Sequence, residues 1–97
     1  MSRSVYPGAD QDLAGAFRFY KREAGVGVAL RFLAEFERVT SLLQEFPDLG
    51  TRSGDERRTY PLTGFPYSVI YRRIESDIRV LVVRHKSRDP GHGESRI

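Results

Sequence analysis

Phe32, Phe36, Val39, Leu43 and Phe46 recur at spacings of four, three, four and three, with Leu33 and Leu42 widening the stripe. That period belongs to one face of an α-helix. Glu35, Glu37, Arg38, Gln44 and Glu45 fall on the opposite side, so the segment must bury one face and wet the other. Pro47 and Gly50 end it. An earlier set, Leu13, Ala16, Phe17 and Tyr20, sits at i, i+3, i+4 and i+7, and predicts a first helix that starts at Asp10 or Asp12 and ends near Ala24. Gly25 and Gly27 separate the two, so the helices should pack as an antiparallel hairpin.

Everything after Gly50 has a different texture. Residues 48–56 read as a polar loop, followed by three strand candidates: Arg57 to Leu62, Pro66 to Ile74, and the β-branched run Ile78 to Lys86. Glu75-Ser76-Asp77 is too short a link for anything but an antiparallel hairpin. Residues 1–6 suit a short edge strand, punctuated by Pro7 and Gly8. The predicted class is α+β: a helical hairpin covering one face of a small twisted antiparallel sheet of three to four strands. At 97 residues the chain makes one domain, 1–97, with 88–97 read as a flexible tail because of Pro90, Gly91 and Gly93.

With a two-residue turn at Ser76-Asp77, one hairpin face carries Val69, Tyr71, Arg73, Ile78, Val80, Val82 and Arg84. The other carries Ile70, Arg72, Ile74, Arg79, Leu81, Val83 and His85. Both faces are apolar at their centres and the helices can cover only one. The second therefore calls for a partner chain, with Tyr71, Val80 and Val82 as the partner-facing set.

Charge is distributed unevenly. Residues 1–51 hold six basic and seven acidic side chains, and residues 52–97 hold ten and six, giving −1 and +4. All but two of the sixteen basic residues are arginine, the side chain that forks onto phosphate and carboxylate. Arg57 and Arg58 open the first of the three strands, Arg72 lies in the second, and Arg84, Lys86 and Arg88 gather where the last runs out. If the strand ends meet, these residues form one basic surface for a phosphate-rich or acidic target. A solvated sheet edge kept soluble by arginines is the plainer alternative. His85 beside Arg84 has the chemistry of a general base for attack by a ribose 2′-hydroxyl. A lone histidine at a strand end more often simply bonds the backbone. Two histidines, no cysteines and no carboxylate pair at ligand spacing argue against a metal, and no cofactor motif is present. No cysteine and no leader-like or membrane-length apolar run make the cytoplasm the expected location.

The order of motifs carries a resemblance. Ala9…Asp12-Leu13, Phe19-Tyr20, Ala29…Arg31-Phe32-Leu33 and Phe46-Pro47-Asp48-Leu49-Gly50 resemble the first half of the RelE/ParE superfamily of type II toxins. Arg57-Arg58, Phe65-Pro66-Tyr67-Ser68-Val69-Ile70-Tyr71 and Val82-Val83-Arg84-His85…Arg88-Asp89-Pro90 resemble its closing strands and terminal His-x-x-Arg-x-Pro signature. The resemblance spans essentially the whole chain. It implies a cytoplasmic toxin neutralised by a cognate antitoxin in a hetero-oligomer. The cellular target is then DNA gyrase for ParE-like members, which are not enzymes, or the ribosome and its mRNA for RelE-like endoribonucleases. An inactive member that only binds its partner is a third possibility. The chain departs from the RelE pattern: Lys86 is the only lysine of its second half, and no aromatic pair stands near Gly91-His92-Gly93. The departures favour the ParE-like expectation. On the RelE-like alternative, His85 and Arg84 would be catalytic.

Overall fold

The computed structural model describes residues 3–87, 91–93, 95 and 96. The chain runs β1 (Arg3–Val5), α1 (Pro7–Ala24), α2 (Val26–Glu45), β2 (Thr51–Arg52), β3 (Arg57–Pro61), β4 (Tyr67–Ile74) and β5 (Asp77–His85). The strands form one sheet in the order β1-β5-β4-β3-β2. Two helices on a five-stranded sheet make an α+β fold. The predicted sheet of three to four antiparallel strands is extended by β2, and it is mixed because β1 lies parallel to β5. A strand whose chain leaves through the whole helical hairpin before returning is free to run either way.

Pro7 does not break the chain. It occupies the first helical turn of α1, after Tyr6 as N-cap. Its fixed φ suits that position, and its missing N–H would have had no intrahelical partner there. Asp10 therefore lies within the first turn, with Lys21 and Arg22 in the last, each complementing the helix dipole. Gly25, at φ 97°, closes α1 and opens α2, a backbone conformation that costs glycine little.

The α2 stripe is buried as its spacing predicts except at Phe46, which stands at the C-cap and is exposed. Phe32, Phe36, Val39 and Leu43 join Ala9 and Ala16 of α1 and Val69, Tyr71, Ile78, Val80 and Val83 of the sheet in the main core. Each large apolar side chain fully buried there contributes roughly 1.5–3 kcal/mol. Tyr20, Phe32, Phe65 and Tyr67 cluster at one end, with neighbouring ring centroids such as Phe32–Tyr67 at 5.2 Å. Arg3 ties the β1 edge to α2 through a bidentate pair with Glu37 at 2.6 and 2.7 Å and a bond to Thr40.

Two contacts fix the link from α2 to the sheet. The buried Tyr71 hydroxyl donates to the Pro47 carbonyl at 2.7 Å and accepts from the Gly50 N–H at 3.0 Å. Beside it on β3, Arg58 donates to the carbonyls of Gly50 at 2.8 Å and Asp48 at 3.2 Å. Gly50 fits because it lacks a side chain: a Cβ there would lie 2.7 Å from the Tyr71 hydroxyl and 3.0 Å from the Thr59 carbonyl.

Candidate functional site

Register decides which side chains share a face. The β4–β5 turn is Glu75-Ser76, since Ile74 pairs with Asp77, one residue earlier than Ser76-Asp77. A bulge follows: Tyr71 pairs with Val80 but Ile70 pairs with Val82, leaving Leu81 as the extra residue. Because side chains alternate along a strand, one added residue exchanges the two faces beyond it. Val83 and His85 therefore turn toward the helices. Val82 and Arg84 turn to the open face, the reverse of the sequence expectation.

The partner-facing set is corrected accordingly. Tyr71 and Val80 are fully buried beneath the helices and cannot meet a partner. Val82 does face the other way, in a small cluster with Ile70 and Leu81 against which Tyr6 packs. That cluster is covered by the chain's own C-terminus. Gly93 lies so close to Val82 that any Cβ would collide with it. The Arg96 guanidinium donates to the Asp12 carboxylate at 2.8 Å and to the Leu81 carbonyl at 3.0 Å. His92 Nε2 lies 2.9 Å from the other Asp12 oxygen, and the Val83 N–H donates to Asp12 at 3.1 Å. These contacts place the described part of the tail against the open face of the sheet. The exposed large apolar side chains lie elsewhere: Phe19, Val26 and Leu30 on the helices, Phe46 and Leu49 beside the α2–β2 link.

The predicted basic surface divides. Arg57 pairs with Arg72, and Arg72 with Arg79, so these three form one row across the open face. Arg84 pairs with Ser68 on that same face. Its place is four residues of β4 from Arg72, about 13 Å at strand rise. The strand ends carrying Arg57 and Arg84 therefore do not meet, because β3 and β5 run in the same direction on either side of β4. The tail spans the gap: Arg57 donates to the carbonyls of Gly93 and Arg96, and Arg84 to that of His92. Arg58 points to the helix side, where it holds the α2–β2 link and lies 3.7 Å from Asp48. Lys86 is exposed at the end of β5. Arg88 lies outside the described residues.

His85 is separated from Arg84 by that alternation. Its ring stands edge-on to Tyr67, centroids 5.0 Å apart, at the end of the aromatic cluster. Its Nδ1 accepts from the Ser87 backbone N–H at 3.0 Å, with the Ser87 hydroxyl at 2.8 Å. A backbone N–H can only donate, so neutral His85 carries its proton on Nε2. In that tautomer Nδ1 is the nitrogen that Ser87 engages. The open-face arginines present guanidinium forks suited to carboxylate or phosphate. Among the described residues no three His, Asp or Glu side chains gather as a metal site, and no helix is long and apolar enough to cross a membrane.

Sequence reasoning missed Arg79, Arg96 and Asp12 as members of this surface. With the turn placed one residue late, Arg72 faces Leu81 and the row is invisible. Nothing in the spacing of Asp12 and Arg96 links residues 84 positions apart.

Comparison with known proteins agrees with this architecture. A chain of the chromosomal ParDE toxin–antitoxin system from P. aeruginosa superposes with a TM-score of 0.76 at 23% identity, over 88% of this chain and 95% of that one, and shares its fold. No curated protein sequence matches. The model of the ParE toxin of the type II toxin–antitoxin system parDE matches residues 5–90. Such a system implies a cognate ParD antitoxin as partner. The fold, the order of its motifs and the extent of that match together show that the chain belongs to the ParE toxin family of type II toxin–antitoxin systems.

Proposed function

We propose that this ParE toxin acts in the cytoplasm by binding and blocking DNA gyrase, without catalysing a reaction itself, and that a ParD antitoxin neutralises it in a hetero-oligomer. The observation that carries the non-enzymatic reading is the placement of His85. It faces away from Arg57, Arg72 and Arg84, and its Nδ1 is engaged by Ser87. The open-face arginines then serve as contacts to the target, with Lys86 at their margin. The exposed apolar residues of the helical hairpin, Phe19, Val26 and Leu30, make a better antitoxin surface than the sheet interior.

Supercoiling by purified gyrase and mRNA cleavage in a translating ribosome extract, run on one toxin preparation, test this. Inhibition of supercoiling that added ParD reverses, with mRNA intact, is the expected result. Cut mRNA would overturn it in favour of an endoribonuclease. Toxin that affects neither assay and does not slow growth on induction would point to an inactive family member.

A further inference from the structure

Two of the arginines assigned to the target already donate to the chain's own tail: Arg84 to the His92 carbonyl, Arg57 to those of Gly93 and Arg96. Ile70, Leu81 and Val82, the apolar centre of that face, are no more than 3% exposed. A partner could not reach Val82 while Gly93 lies on it. The Nε atoms of Arg72, Arg79 and Arg84 are shielded from solvent without an acceptor among the described residues, a cost that the closed arrangement carries. The described tail residues, Gly91, His92, Gly93, Ser95 and Arg96, include no hydrocarbon side chain, and the main core cluster contains nothing beyond Val83. The tail is therefore held by polar contacts on a core that closes without it. Those contacts converge on Asp12, which accepts from Arg96 at 2.8 Å and lies 2.9 Å from His92. The Arg96 guanidinium also donates to the carbonyl of Leu81, the bulged residue, and stands 5.8 Å from the Tyr6 ring centre. Gly8 leaves the room it needs, since a Cβ there would lie 2.5 Å from its Cζ.

We propose that the tail carrying His92, Gly93 and Arg96 is an autoinhibitory strap. Arg96 latches it into the slot formed by Gly8, Asp12, Leu81 and Tyr6, and the toxin engages its target only with the strap released. A segment held by polar contacts alone can open locally while the domain stays folded. Its release uncovers Ile70, Leu81 and Val82 beside Arg72, Arg79 and Arg84. An apolar centre bordered by arginines is the composition of a protein-binding hot spot. The inference rests on the reading that the open face contacts the target.

The test uses the full chain. It has no cysteine, so Val82→Cys places a single reporter thiol beneath Gly93. The rate at which a maleimide labels that thiol reports how often the strap opens. Adding Arg96→Gln should speed labelling about tenfold, the loss of one charge-assisted contact, with the melting temperature close to that of Val82→Cys alone. Adding Gly8→Ala instead crowds the guanidinium while favouring the helix, and should quicken labelling without lowering the melt. In cells, Arg96→Gln in the otherwise unaltered chain should arrest growth at a lower toxin level than the parent. Labelling unchanged in both variants would overturn the strap, as would faster labelling accompanied by weaker growth arrest. Supercoiling measured with the same proteins separates the two readings. Growth arrest that strengthens in Arg96→Gln with supercoiling untouched retains the strap and removes gyrase as the target.

Discussion

Replacing Tyr71 by Phe isolates one hydroxyl on which the junction between the helices and the sheet depends. The Tyr71 ring is fully buried, and burial raises the pKa of its hydroxyl above the ordinary tyrosine value. The oxygen donates to Pro47 and accepts from Gly50. Phenylalanine keeps the ring in place and leaves a backbone carbonyl and a buried N–H without partners. Each such group costs about 1–3 kcal/mol, less what is recovered because the variant no longer desolvates a hydroxyl, so the net loss is about 2–4 kcal/mol. For a domain of this size each kcal/mol moves the melting temperature by about 4–8 °C. Urea unfolding should show a lower midpoint with the slope unchanged, and the Gly50 amide should exchange faster with solvent. A midpoint shifted by less than about 0.5 kcal/mol, with Gly50 exchange unaltered, would refute the clamp.

Phe36→Ala, at the centre of the α2 stripe, should cost about 3–5 kcal/mol in the same unfolding assay, because the ring is essentially inaccessible. Gly50→Ala should destabilise by about 1–3 kcal/mol through contact with the Tyr71 hydroxyl and the Thr59 carbonyl, and Gly50→Ala combined with Tyr71→Phe should lose less than the two separate effects added. The Glu35 carboxyl is held below its ordinary 4.5, first by its hydrogen bonds from Arg38 and then by the Thr63 N–H. Glu37 is held down likewise by Arg3. Both folded values lie below the unfolded ones, so their contribution is complete above about pH 4.5 and is lost as pH falls through the folded values. Urea midpoints of Glu35→Gln should therefore lie below the parent's at neutral pH and converge toward it in acid; a constant gap would contradict the linkage.

The helices and the three long strands were legible because their patterns are local. The Phe32–Phe46 stripe and the β-branched run after Asp77 each dictate burial within a few residues. What escaped depended on one-residue choices and on distant partners. Pro7 reads as a breaker until Tyr6 is seen to cap the helix. Leu81 bulges out of a run of apolar residues that all suit a strand, and that slip sends Val82 and Arg84 to one face and Val83 and His85 to the other. The grouping of Arg84 with His85 failed for this reason. Nothing local marks Gly93 as the residue that lies against Val82 while Arg96 reaches Asp12.

If this ParE toxin works by binding, as proposed, His85 is a structural residue. Growth after induced expression of His85→Phe tests it most directly. The substitution keeps a ring against Tyr67 and removes both ring nitrogens. Growth arrest equal to that of the parent toxin, reversed by co-expressed ParD, is the expected result. Normal growth with a folded variant that still binds ParD would contradict it and return His85 to catalysis.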